Sequence, residues 1–247
     1  MSESEIEGLL LRLVPGLHKE WRGASEEEIG QIQGIAGQEL PGFYRWFLSK
    51  MGRSAGSLAE PLDRFAARAV IAAYESGEVD PEPPFLFIAR LEDPLMPQEM
   101  FYDLRTRTRD DALVVSGVVG DRLANNCETL REWVARTVFT KFRVHRCAQQ
   151  CQGCFKDSEG DVAVKLAVLF GRLGFACPIP TGPFCGIYER ADAAVICGIR
   201  PKPENTDMLV FEFGAANAAT LRNLLGMVAT ETAVEISIDE WTPPLSE

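Results

Sequence analysis

Leu40-Pro41-Gly42-Phe43-Tyr44-Arg45-Trp46-Phe47-Leu48-Ser49-Lys50-Met51 is the stretch on which the fold turns. Proline lacks the N–H that a first helical position leaves unpaired in any case, so Pro41 can open a helix without losing a hydrogen bond. Tyr44, Phe47, Leu48 and Met51 then recur at spacings of three and four, and Phe43 and Trp46 make the helix apolar on more than one side. Such a helix belongs in a core.

Its neighbours are readable in both directions. Upstream, Ile6, Leu9, Leu10, Leu13 and Leu17 keep helical spacing, with Glu3, Glu5 and Glu7 near the positive end of the helix dipole and Pro15 to stop it. Ser25-Glu26-Glu27-Glu28 has the form of a capping box, and Ile29, Ile32 and Ile35 follow on one side. Downstream, one helix is expected over about 57–75, with Leu62, Phe65, Ala66, Ala69, Val70 and Ala73 inward and Gly77 as its terminator. Beyond the stiff Pro81, Pro83 and Pro84 lie three extended segments, 85–91, 99–104 and 112–119, which read as an antiparallel meander. Asn125, three residues before Glu128, is expected to start a helix that turns Leu130, Trp133, Val134 and Val138 inward.

The second half has its own order. An extended Phe142/Val144 segment is expected, then a helix over about 158–173 ended by Gly174. Strands follow at 184–188, 193–199 and 209–213, then a helix carrying Leu221, Leu224, Leu225 and Val228. In the last strand Val234, Ile236 and Ile238 alternate with polar residues. The pattern is that of a β-α-β-β-α-β sandwich with one extra strand.

Trp21-Arg22-Gly23-Ala24-Ser25-Glu26-Glu27-Glu28-Ile29, followed by the Leu40–Leu48 stretch, resembles the start of a SUKH-superfamily (Smi/Knr-type) domain. That pattern is a Trp near a Gly, an acidic helix start, then Leu-Pro-x-x-Tyr-x-x-Phe-Leu. The resemblance extends more loosely through Pro84–Arg90, Met100–Leu104 and Ala124–Val134, so it covers about residues 1–140. It departs at Lys50-Met51-Gly52, where the family has Asn-Gly, and at the helix-rich segment 57–76. The expected fold class is therefore α+β: an N-terminal SUKH-like domain over 1–140, helices packed on an antiparallel sheet, and a C-terminal ferredoxin-like α/β sandwich over 141–247.

What the resemblance implies about function is immunity: stoichiometric binding of a cognate protein toxin, with nucleases and nucleic-acid-modifying enzymes among the usual targets. Scaffolding or regulation of cell-envelope or signalling machinery is the alternative within the same family. Charge agrees with either. The chain carries a net −11, and residues 1–140 hold 15 basic against 23 acidic side chains, a net of −8. Such a surface repels nucleic acid and steers a basic partner. Glu26, Glu27, Glu92, Asp93, Asp110 and Asp111 are the candidate contacts, although helix-start charge is the simpler reading of Glu26 and Glu27. No apolar run approaches the roughly 20 residues of a membrane span, and the acidic first residues are unlike a secretory leader, so a cytoplasmic protein with no membrane partner is expected.

Catalytic chemistry is sparse. Only His18 and His145 could serve a nucleophile, and neither has a Gly-x-Ser-x-Gly elbow or similar signature beside it. No phosphate-binding glycine loop occurs. Arg105, Arg107 and Arg109 precede Asp110 and Asp111 and read as a solvated hairpin. His145, Cys147, Cys151 and Cys154 are suited to zinc or an iron–sulfur cluster by softness and spacing. Structural sites draw ligand pairs from two segments, however, and the sandwich pattern leaves no barrel for radical chemistry, so packing is the stronger role. Cys127, Cys177, Cys185 and Cys197 read as core thiols. The expectation is a binder with no catalytic residue, no cofactor and no bound metal.

Overall fold

The computed structural model describes residues 3–91, 98–108, 110–118, 121–157, 162–182, 185–199 and 207–243. These form helices and two antiparallel sheets, an α+β protein whose contacts divide it into Met1–Val134 and Ala135–Glu247. The division falls inside a helix that ends just before the boundary expected at 140.

Unit 1 begins with α1 (Glu3–Leu13), α2 (Glu26–Ala36), α3 (Gly42–Met51) and α4 (Ala67–Glu75). Strands β1 (Phe85–Leu91), β2 (Gln98–Thr108), β3 (Asp111–Val118) and β4 (Asp121–Thr129) then pair in sequence order, and α5 (Leu130–Phe139) closes the unit. Phe43, Tyr44, Phe47 and Leu48 of α3 are wholly buried, as the aromatic run predicts. Trp46 stacks on Phe43 at 5.3 Å and meets Trp21 edge-on at 6.3 Å. Aromatic pairs in these geometries are each worth about 1 kcal/mol beyond the area they bury. Pro41 stands at the cap itself, where it offers no side-chain acceptor. The Phe43 N–H instead donates to the Asp110 carbonyl at the β2–β3 turn, 3.0 Å away.

Gly23 is fixed by close approach. A Cβ there would lie 2.0 Å from the Ser49 carbonyl oxygen near the end of α3, where the chain also joins through Ala24 N–H to the Leu48 carbonyl.

Two secondary-structure expectations fail in unit 1, and Ala69, expected inward, is exposed. The single helix over 57–75 is broken into short turns, Gly56–Leu58, Ala59–Leu62 and Asp63–Phe65, before α4 begins. Pro61 pushes its predecessor out of the helical region, and Glu60 has φ −95°, ψ 112°. Asn125 starts no helix; it lies on β4, opposite Val115. The helix begins at Leu130 through a second capping box, with Thr129 N–H donating to Glu132 and Glu132 N–H to Thr129 Oγ1.

Unit 2 runs through a π-helical turn at Thr140–Val144 where an extended segment was expected. It continues with β5 (Gln149–Lys156), α6 (Val162–Arg172), β6 (Cys185–Arg190), β7 (Ala193–Ile199), β8 (Met208–Ala215), α7 (Ala218–Thr232) and β9 (Glu235–Thr242). Sheet order is β6-β7-β8-β5-β9, each neighbour antiparallel. Leu166 and Phe170 of α6 and Leu221 and Val228 of α7 share one core with Phe155, Phe211 and Phe213 of the sheet. Ile238, expected inward, is 44% exposed, because β9 is bulged against β5 beside it.

Gly23→Ala should cost about 1–3 kcal/mol in urea unfolding, since backbone must move to admit the methyl group. Gly34→Ala in α2, where a Cβ meets nothing within 4 Å, should gain about 0.5–1 kcal/mol. Equal effects would refute the packing account.

Candidate functional site

The acidic residues singled out in unit 1 separate into three kinds. Glu28 is structural: its carboxylate accepts from Ser25 N at 2.7 Å, Arg53 Nε at 3.0 Å and Arg68 Nε at 3.1 Å. The Ser25 backbone bond, aided by both guanidinium groups, holds its pKa down at about 2. Glu26 and Glu27 are exposed on the first turn of α2, Glu26 in a loose pair with Arg45 at 3.3 Å. Asp110 is exposed in the β2–β3 turn at φ 64°, a left-handed conformation that Asp tolerates better than most residues. Glu92 and Asp93 lie outside the described residues.

Asp111 corrects the sequence reading. It is 1% exposed and cannot meet a partner. The left-handed turn that leaves Asp110 in solvent delivers Asp111 onto β3 with its side chain inward. There one carboxylate oxygen accepts from Tyr102 Oη and Ala112 N, both at 2.9 Å, and the other from Arg131 N at 2.9 Å. The last comes from the first turn of α5, where helix geometry supplies no intrahelical acceptor, so the carboxylate also faces the positive end of that helix. Burial outweighs these bonds and raises the Asp111 pKa from 3.8 to about 6.

The folded pKa lies above the unfolded one, so the ionised carboxyl weakens unit 1 above about pH 6 and the penalty is relieved as pH falls towards 3.8. Asp111→Asn should remove this slope. It should also cost about 1–3 kcal/mol throughout, because an amide N–H would face the Arg131 N–H. Denaturation at pH 4, 5, 6 and 7 checks both, and parallel curves for the two proteins would overturn the assignment.

The cysteine segment is a strand. Cys151, Gly153 and Phe155 face the core of unit 2, while Gln150, Gln152 and Cys154 project from the opposite side of β5. Pleating thus separates Cys151 from Cys154. Cys147 precedes the strand, its sulfur 3.4 Å from an Arg143 guanidinium nitrogen. Among the described residues no three His, Cys, Asp or Glu side chains are arranged to hold a metal ion. Burial lifts the Cys151 thiol to about 12, away from the thiolate a metal or nucleophilic role needs. Cys185 and Cys197 are buried, but Cys177, expected in the core, is exposed; the Cys127 side chain lies outside the described set. Cys151→Ser should cost about 1–3 kcal/mol, by burying a hydroxyl in the apolar core opposite Phe213, and Cys154→Ser a few tenths. Equal losses accompanied by metal release would restore the cluster reading.

His145 follows the π turn that replaces the extended segment expected at Phe142/Val144. It caps the π turn, and its Nε2 lies 2.8 Å from Glu212 Oε2 on β8. Gly214 makes this possible, since a Cβ there would stand 2.6 Å from the Val144 carbonyl oxygen and 2.8 Å from Cys147 Sγ. The Val144–Cys147 turn can therefore ride close over β8. A concavity of about 260 Å³ opens beside it, with Gln150, Gln152, Glu212, Glu240 and Thr242 on its walls. Sequence reasoning missed this site, because strands β5, β8 and β9 bring together residues with no common local pattern. His18 is exposed on a 3₁₀ turn after α1. Arg105 is held by Asp103 through two bonds of 2.9 Å, so the arginine turn begins with a neutralised member.

No protein-family model, no curated protein and no solved structure matches the chain. No helix among the described residues is long and apolar enough to cross a membrane.

Proposed function

We propose that unit 1 is a SUKH-like domain and that the chain is an immunity protein, neutralising a cognate basic toxin by direct stoichiometric binding. The residues behind the resemblance are packing residues: Trp21 against Trp46, Gly23 against Ser49, Glu28 in the α2 cap, and Leu40, Tyr44, Phe47 and Leu48 in the core. A pattern of this kind specifies architecture and leaves the surface free to vary with the partner.

The observation that carries the reading is how unit 1 uses its cations. Arg45, Arg53, Arg64, Arg68, Arg90 and Arg105 are all engaged by carboxylates. Exposed Glu27, Glu75, Asp80 and Asp110 have no ion-pair partner among the described residues. Exposed Lys19 and Arg22 also lack a carboxylate partner among the described residues, so what faces outward is a reduced acidic excess, which suits electrostatic capture of a basic enzyme.

Unit 2 fits a ferredoxin-like reading with β6 as an added edge strand. Without it, β5-α6-β7-β8-α7-β9 has the strand order β7-β8-β5-β9.

Co-expression with the product of the adjacent gene tests immunity. Growth rescue and co-purification at a fixed ratio are expected, with association slowed about tenfold by Glu27→Lys combined with Asp110→Asn and by added salt. A neighbour harmless when expressed alone would remove the reading.

A further inference from the structure

Strand β9 is the outer strand of the unit 2 sheet. One side pairs with β5, and no strand among the described residues pairs with the other. Native sheets usually blunt such an edge, because its unpaired N–H and C=O groups are a template for another chain. Here a single bulge beside Asp239 and three acidic side chains, Glu235, Asp239 and Glu240, are what guard it. All three are exposed, and so is the apolar Ile238 between them.

The same strand supplies one wall of the concavity beside His145. Its polar groups are mismatched in a particular sense: acceptor capacity exceeds the donors left over. Gln150 Nε2 donates to the carbonyls of His145 and Cys147, both at 3.1 Å, and Gln152 Nε2 donates to Glu240 at 2.8 Å. The Thr242 hydroxyl also donates to Glu240, at 3.2 Å. Glu212 and Glu240 place carboxylate oxygens on the same walls, and each such oxygen can accept a further hydrogen bond. His145 is the only lining residue able to carry positive charge, and Glu212 already engages it. A guanidinium group has five donors and no acceptor, and an aliphatic stem that Val144 can cover.

We propose that β9 takes an extended, arginine-bearing segment of another protein as an added strand, with one guanidinium seated between Glu212 and Glu240. Backbone pairing along an open edge gives such a segment affinity, and alternate side chains give it selectivity. A second copy of this chain is disfavoured as occupant. Antiparallel self-pairing of β9 would set its acidic side chains against their own kind, and like charges across a strand pair are destabilising. This edge lies outside the unit that carries the immunity reading, and it stands or falls without any toxin.

The test uses the full chain and an acetylated, amidated hexapeptide alternating arginine with threonine, titrated by amide NMR at low salt. Expected are shifts confined to the β9 amides and the Gln150 and Gln152 side-chain amides, with slowed hydrogen exchange along β9. Affinity should fall about tenfold in the Glu212→Gln/Glu240→Gln double variant. All the altered side chains are exposed or half-buried, and an unchanged spectrum elsewhere verifies the fold. A glutamine-for-arginine peptide should not bind. Equal binding of that peptide, indifference to the double substitution, or binding that leaves the β9 amides unshifted would overturn the proposal. So would a concentration-dependent dimer whose β9 amides are already protected.

Discussion

The Asp111 carboxylate gathers a phenol from β2, a backbone N–H from its own strand β3 and a backbone N–H from the first turn of α5. Tyr102, the phenol donor, lies 5.1 Å from the Tyr44 ring of α3, and the Arg131 guanidinium sits 5.1 Å above the Phe43 ring of the same helix. Helix, sheet and closing helix of unit 1 therefore converge on one buried anion. Its ionised form is costly away from water, yet removing it would strand three donors. An apolar replacement would have to supply what an isolated side chain cannot. Unit 1 is thus organised around a polar point inside an aromatic shell.

Much of the fold was legible where local chemistry and tertiary demand agree. The Ser25–Glu28 box caps α2 as read, the aromatic run of α3 is buried as read, and β7 spans the predicted 193–199. Failures cluster where a single residue or a distant partner decides. Pro61 divides an otherwise acceptable helical pattern. Strand β4, Asp-Arg-Leu-Ala-Asn-Asn-Cys-Glu-Thr, carries no apolar alternation, and pairing with β3 makes it a strand. For β5 the alternation was present in Cys151, Gly153 and Phe155, but the cysteine spacing drew attention from the period of two.

The candidate sites show the same division. Glu26 and Glu27 could be placed on a helix start because a capping box is a local device. Asp110 and Asp111 look alike in sequence, and only the left-handed turn at Asp110, after which Asp111 opens β3, separates a solvated side chain from the most consequential buried one. Glu212, Gln152 and Glu240 come from strands far apart in the chain. Their common neighbourhood is a product of the strand order β8-β5-β9, which no short window contains.

Helix α3 carries the aromatic centre of unit 1 but no side-chain cap of its own; its Phe43 N–H is completed by the Asp110 carbonyl. That acceptor belongs to a turn made much later during synthesis. The β2–β3 hairpin also aligns Asp111, which receives the start of α5. Early in translation the chain therefore holds its aromatic-rich helix with one end unfinished. Completion of α3 thus waits on a contact distant in sequence, and aromatic surface left exposed in the meantime must be protected.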